Sequence, residues 1–211
     1  MKSNSVKIIL SRTLALIALS IFLLGCSNNG YKSLSNSDIL EPIIPEIFTA
    51  DFVKALYKTS IQIYSNELTG VTLIKKTDST YRVVSMSEMG LKYFDFEFPN
   101  NSNMEPKVHY IMEPLDKKLL VNMFLRDFEL LFHLPGTKAK TTSKNDKITE
   151  IINGKIIYSL TPKGVISHIS KSRCLLRDKE LVNLSTNYES NPDSILFDHG
   201  KVNYQLIEIA K

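Results

Sequence analysis

Between Lys92 and Pro99 the chain reads Lys-Tyr-Phe-Asp-Phe-Glu-Phe-Pro. A helix would scatter the three phenylalanines around its circumference. A strand, with its two-residue period, gathers Phe94, Phe96 and Phe98 on one face and leaves Tyr93, Asp95 and Glu97 on the other. This pattern commits the segment to a strand with one strongly apolar face, which other elements must cover. The same period runs through Tyr57, Thr59, Ile61 and Ile63, which alternate with Lys58, Ser60, Gln62 and Tyr64. Further extended runs lie from Val71 to Lys75, from Tyr81 to Met86 and from Lys107 to Met112, separated by turn residues at Asp78-Ser79-Thr80, Glu88-Met89-Gly90 and Pro99-Asn100-Asn101.

One segment changes period. From about Leu115 to Leu134 the residues Leu119, Leu120, Met123, Phe124, Phe128, Leu131 and Phe132 fall at helical spacing, with Lys118, Asn122, Arg126 and Glu129 as a polar stripe. Pro114 and Asp116 mark its start and Pro135-Gly136 its stop. Residues 137 to 147 are polar and lysine-rich and read as a mobile connection.

Strands then return. Asn153-Gly154 joins two apolar runs as a two-residue hairpin, Pro162-Lys163-Gly164 turns the chain into Val165 to Lys171, and His199-Gly200 separates the last two strands. With no strand-helix-strand alternation, these elements predict an α+β domain: a large curved antiparallel sheet of about nine to eleven strands and one main helix, 115–134.

The first 25 residues are of a different kind. Lys2, Lys7 and Arg12 precede an apolar run from Leu14 to Leu24 broken only by Ser20, and Leu23-Leu24-Gly25-Cys26 closes it. This is the layout of a secretory leader, and its apolar run is shorter than the roughly 20 residues of a spanning helix. The closing tetrad resembles the lipobox of bacterial lipoproteins. The resemblance implies cleavage before Cys26, a diacylglyceryl group on its thiol and an acyl chain such as palmitate on the new amine. Those chains would anchor the protein to a membrane, since each buried methylene is worth about 0.8 kcal/mol. Ser27, where an aspartate retains some lipoproteins in the inner membrane, favours the outer membrane, and the lack of an acidic run after it favours the periplasmic side. Residues 26–38, rich in Ser and Asn, form a flexible tether, and 39–211 form the single folded domain.

Removing the leader shortens the chain from 211 to 186 residues, and the loss of Lys2, Lys7 and Arg12 lowers the net charge from +4 to about +1. The basic character therefore belongs largely to the leader, and nucleic-acid binding loses its compositional support. With Cys26 committed to lipid, Cys174 has no intramolecular partner and reads as an inert thiol between basic and apolar neighbours.

The patterns that carry chemistry are missing. His109, His133, His168 and His199 show no metal-ligand spacing, and no nucleophile elbow or glycine-rich phosphate loop is present. No cofactor, metal or catalytic residue is expected. Asp95 and Glu97 form the best carboxylate pair, but beside Tyr93 and opposite three phenylalanines they read as the solvated side of a strand. Met86, Met89, Met112 and Met123 lie in or near the strands and helix around the interior, where they would line either an ordinary core or an adaptable apolar cavity.

The runs Gly70-Val71-Thr72-Leu73-Ile74-Lys75-Lys76, Tyr81-Arg82-Val83-Val84 and Gly90-Leu91-Lys92-Tyr93-Phe94-Asp95-Phe96-Glu97-Phe98 resemble the sheet of LolA/LolB-like outer-membrane lipoproteins of Bacteroidetes type, over about residues 57 to 134. The resemblance implies an incomplete antiparallel barrel closed by helix, whose apolar hollow takes the acyl chains of lipoproteins. That class also carries a protruding loop with an exposed apolar residue; here the loop from Asn100 to Met104 offers only Met104. The expected function is therefore non-enzymatic: a lipid-anchored domain binding lipoprotein acyl chains or another lipid, lined by Met86, Phe94, Phe96, Phe124 and Phe128. The alternative is a solid-cored structural or assembly subunit docked on an outer-membrane protein complex.

Overall fold

A computed structural model describes residues 45–100, 104–132, 140–144, 147–173, 176–185 and 191–209. The leader, Cys26, the tether, His133 and Cys174 lie outside these residues. The chain forms β1 (Lys54–Ile63), β2 (Asn66–Lys76), β3 (Thr80–Met86), β4 (Lys92–Pro99) and β5 (Lys107–Ile111), then a 3₁₀ turn at Glu113–Leu115 and helix α1 (Lys118–Phe132). Seven strands follow: β6 (Lys140–Lys144), β7 (Lys147–Asn153), β8 (Ile156–Leu160), β9 (Ile166–Arg173), β10 (Leu176–Ser185), β11 (Ser194–Asp198) and β12 (Val202–Glu208).

All twelve belong to one antiparallel sheet, in the order β5-β4-β3-β2-β1-β12-β11-β10-β9-β8-β7-β6. Two meanders are thus joined through their outermost members in sequence, because β1 pairs with β12 from Tyr57↔Glu208 to Ile63↔Val202. The sheet stays open, and its two edges, β5 and β6, are the strands on either side of α1. The domain is therefore mostly β, which corrects the α+β expectation. Its strand count exceeds the expected range because β6 lies in the polar, lysine-rich stretch that the sequence marks as a connection.

Curvature follows from ring geometry. Strands β4 and β12 are four steps apart, about 19 Å across a flat sheet at roughly 4.8 Å per step. Yet the Phe94 and Tyr204 rings lie 6.0 Å apart. The sheet must curl to bring them together, and α1 lies against the concave face it creates. Phe128 meets both Phe94 on β4 and Phe197 on β11, five strands away, at 6.2 and 5.4 Å.

One device behind this curl is Gly70 in β2. A Cβ there would overlap the Met86 carbonyl oxygen and lie 2.8 Å from Ser87 Cα, so only glycine admits the end of β3 at this distance. The ladder shifts at the same place, with a bulge between Ser85 and Met86 in the pairing of β3 with β4. Tyr93 adds a strap, its hydroxyl donating to the Thr69 carbonyl at 2.7 Å across the intervening strand.

Candidate functional site

The concave face is built from strand parity and one helical stripe. Phe94, Phe96 and Phe98 project inward from β4, and Phe124, Phe128 and Phe132 recur every four residues on α1, so each set presents a continuous row. Phe94 stacks on Phe96 at 4.6 Å and on Phe124 at 5.6 Å, and Tyr204 closes edge-on against Phe124 at 6.0 Å. All these rings except Phe132 are buried. Each buried ring contributes about 1.5–3 kcal/mol of transfer free energy, and well-oriented pairs add roughly 0.5–1.5 kcal/mol. At one end, Phe48 and Phe52 from the segment before β1 join Tyr81 and Phe132, whose rings stack 4.4 Å apart.

Four of the five residues expected to line the interior, Phe94, Phe96, Phe124 and Phe128, thus come together. Met86 does not. It pairs with Val71 on β2, while its neighbour Ser85 pairs with Thr72 on the concave side, which puts Met86 on the convex face. The lining also includes Phe197 and Tyr204. Their alternation is visible in the C-terminal strands, but nothing local indicates that these strands curl round to face β4.

Three hydroxyls meet a fourth on the concave floor. Thr59 Oγ1 donates to Thr72 Oγ1 at 2.7 Å, Thr72 Oγ1 donates to Ser85 Oγ at 2.9 Å, and Tyr204 Oη lies 2.7 Å from Thr72 Oγ1. Burial holds the Tyr204 phenol far above its ordinary value, against the opposing pull of these hydrogen bonds. The cluster is a satisfied polar network that stays neutral.

A polar tie joins helix and sheet. Asp127, buried on α1, meets His199 in the turn between β11 and β12, with Nε2 and Oδ2 2.7 Å apart. The turn histidine thus has a hydrogen-bond partner, one that carries no signal in the sequence.

On the convex face the expected solvated pair is differently arranged. Asp95 is buried, and Arg82 grips it through Nε at 2.9 Å and Nη2 at 3.0 Å while Lys92 Nζ donates at 2.9 Å. Burial pushes the Asp95 carboxyl up, but the hydrogen bonds and charges of Arg82 and Lys92 outweigh it, and the group sits below the ordinary carboxylate range. Glu97 pairs with His109 at 2.7 Å. Each carboxylate is engaged by its own cation or histidine, and the contacts tie β4 to β3 and β5.

Large apolar side chains also protrude. In the turn between β3 and β4, Met89 is 98% exposed and Leu91 58%, with Gly90 between them in the left-handed region at φ +84°. Tyr64 in the β1–β2 turn is 66% exposed, with Lys201 Nζ 5.8 Å above its ring. Met104, the expected exposed residue, is 58% exposed, but the β3–β4 turn presents the more protruding apolar tip.

Among the described residues, no cluster of His, Cys, Asp and Glu has the makings of a metal site, and no helix is long and apolar enough to cross a membrane. No protein-family model matches the chain, and a search of curated proteins finds no significant match.

Proposed function

We propose that the protein is a lipid-anchored outer-membrane lipoprotein, facing the periplasm, that binds lipoprotein acyl chains or another lipid between its curled sheet and its helix. It serves lipid or lipoprotein trafficking and catalyses no reaction. The observation that carries this reading is the contact between α1 and the concave face, which is made by aromatic rings and includes the polar tie Asp127–His199. On this reading the sheet is an incomplete barrel, LolA/LolB-like in outline, and α1 is its closing element. An acyl chain replaces ring-to-ring contacts with chain-to-ring contacts, and burial of its apolar area at about 25 cal/mol per Å² drives binding. Met89 and Leu91 supply an apolar tip suited to touching a bilayer, and the lipid on Cys26 keeps that tip near one.

A second reading has its own support. The rings already fill one another's spaces, which favours a solid-cored assembly subunit. On the convex face Leu56 pairs with Leu73, Ile209 N bonds to the Leu56 carbonyl, and Leu56, Ile207 and Ile209 are all substantially exposed. Such a subunit would dock on an outer-membrane protein complex through this patch.

The two readings separate experimentally. The complete mature chain carrying Cys26→Ser, purified without detergent, should yield co-purifying lipid by mass spectrometry and bind a fluorescent fatty-acyl probe. A lipid-free preparation that leaves the probe unbound removes the trafficking reading and leaves the scaffold. A Met89→Glu variant should retain probe binding while losing affinity for vesicles.

A further inference from the structure

Tyr57 lies on the concave face of β1, fully buried, and its hydroxyl has no hydrogen-bond partner among the described residues. Its neighbours on that floor are satisfied through the Thr59, Thr72, Ser85 and Tyr204 network, which makes the exception specific to one side chain. A buried hydroxyl without a partner costs stability, and phenylalanine would fill nearly the same space without that cost. A tyrosine held in this way has a donor to offer.

The register shows what surrounds it. Tyr57 pairs with Glu208 on β12, whose backbone N–H donates to the carbonyl of Asp193 just before β11, and on its other side Tyr57 pairs with Thr72. Thr72 pairs with Ser85, and Ser85 with Phe94. One line across the strands therefore runs from Glu208, through Tyr57, Thr72 and Ser85, to Phe94 in the aromatic cluster. Burial, with the charges of Glu208 and Asp193, holds the phenol far above its ordinary value, so it remains a neutral donor at any working pH.

Polarity falls along this line from charged to apolar, as it does along a neutral acyl ester: polyol, carbonyl, hydrocarbon. We propose that Tyr57 Oη is the polar anchor of the ligand site, donating a hydrogen bond to the ester carbonyl of an acylglycerol-type lipid whose chain lies toward Phe94. Glu208 accepts from a hydroxyl of the glycerol and, with the charge of Asp193, repels a free carboxylate, so the site selects esters over fatty acids. This rests on the lipid-binding reading above and adds the class of headgroup.

Displacement of a fluorescent acyl probe from the mature Cys26→Ser chain tests it, with monolauroylglycerol and laurate as competitors. The unsubstituted site should favour the ester severalfold, because the carboxylates beside Tyr57 repel laurate. Tyr57→Phe should weaken binding of the ester about tenfold, the worth of one good hydrogen bond, while its thermal midpoint holds or rises, and Glu208→Gln should raise laurate affinity severalfold. If Tyr57→Phe keeps the parent's affinity for the ester, or if laurate binds as well as the ester at the unsubstituted site, the anchor is disproved while lipid binding stands. If neither competitor nor probe binds, the lipid-binding reading fails and the anchor with it.

Discussion

The two faces of β4 hold the same strand by opposite means. Inward, Phe94, Phe96 and Phe98 are fully buried and gain their stability from area and ring contact, which are insensitive to salt and nearly so to pH. Outward, Asp95 works through ion pairs whose partners reach into water, Arg82 being 44% and Lys92 42% exposed on their side chains, and Glu97 through a hydrogen bond with His109. Alternation thus separates a face whose strength scales with surface from one whose strength depends on solution conditions. The inward face should carry most of the stability, and the outward face should carry its pH and salt dependence.

The largest expected effect tests the inward half. Phe94→Ala should cost about 3–5 kcal/mol in urea unfolding, since it removes a ring touching β12 and α1 at once. Combined with Phe128→Ala, the loss should fall short of the sum, because the two rings are 6.2 Å apart and share a cavity. Strict additivity would show that the helix does not couple β4 to the far strands.

Asp95→Asn comes next. The charge-assisted bonds are strong, but the cations are half exposed and screened, so about 1–2 kcal/mol is expected at neutral pH. The pH dependence has a definite sign. The folded carboxyl titrates below its unfolded value, so its contribution is complete above the ordinary carboxylate range and is lost as pH falls through the depressed folded value. Between pH 7 and acid, the Asn variant should lose less stability than the parent chain. Parallel acid-unfolding curves would assign the acid lability elsewhere.

Glu97→Gln should have the smallest effect, about 0.2–1 kcal/mol, since its pairing with His109 is partly exposed. The cost of Asp95→Asn should shrink in high salt, whereas that of Phe94→Ala should not. A salt-sensitive Phe94 variant would break the contrast between the faces.

Much of this was legible in the residues. The alternation of β4, the Asn153-Gly154 turn with its left-handed glycine, the α1 stripe and the inward set Phe94, Phe96, Phe124 and Phe128 are all local patterns. Strand β6 and the charged first half of β10 were not, because pairing into a ladder satisfies backbone groups whatever the side chains, and their composition is polar. Met86 was misplaced for a sharper reason: residues adjacent in a strand face opposite ways, and Ser85, not Met86, shares the inward parity.

What the sequence alone determined is periodicity: which side chains share a face, where the chain turns, and that one helix interrupts the strands. Only the tertiary structure decided that β1 pairs with β12, that the curl brings Phe94 to Tyr204, and that Asp127 meets His199. It also decided that the Tyr57 hydroxyl is buried without a partner. Periodicity is carried by neighbours a few residues apart. These other features join residues 72 to more than 140 positions apart, and nothing local in either member of a pair specifies the other.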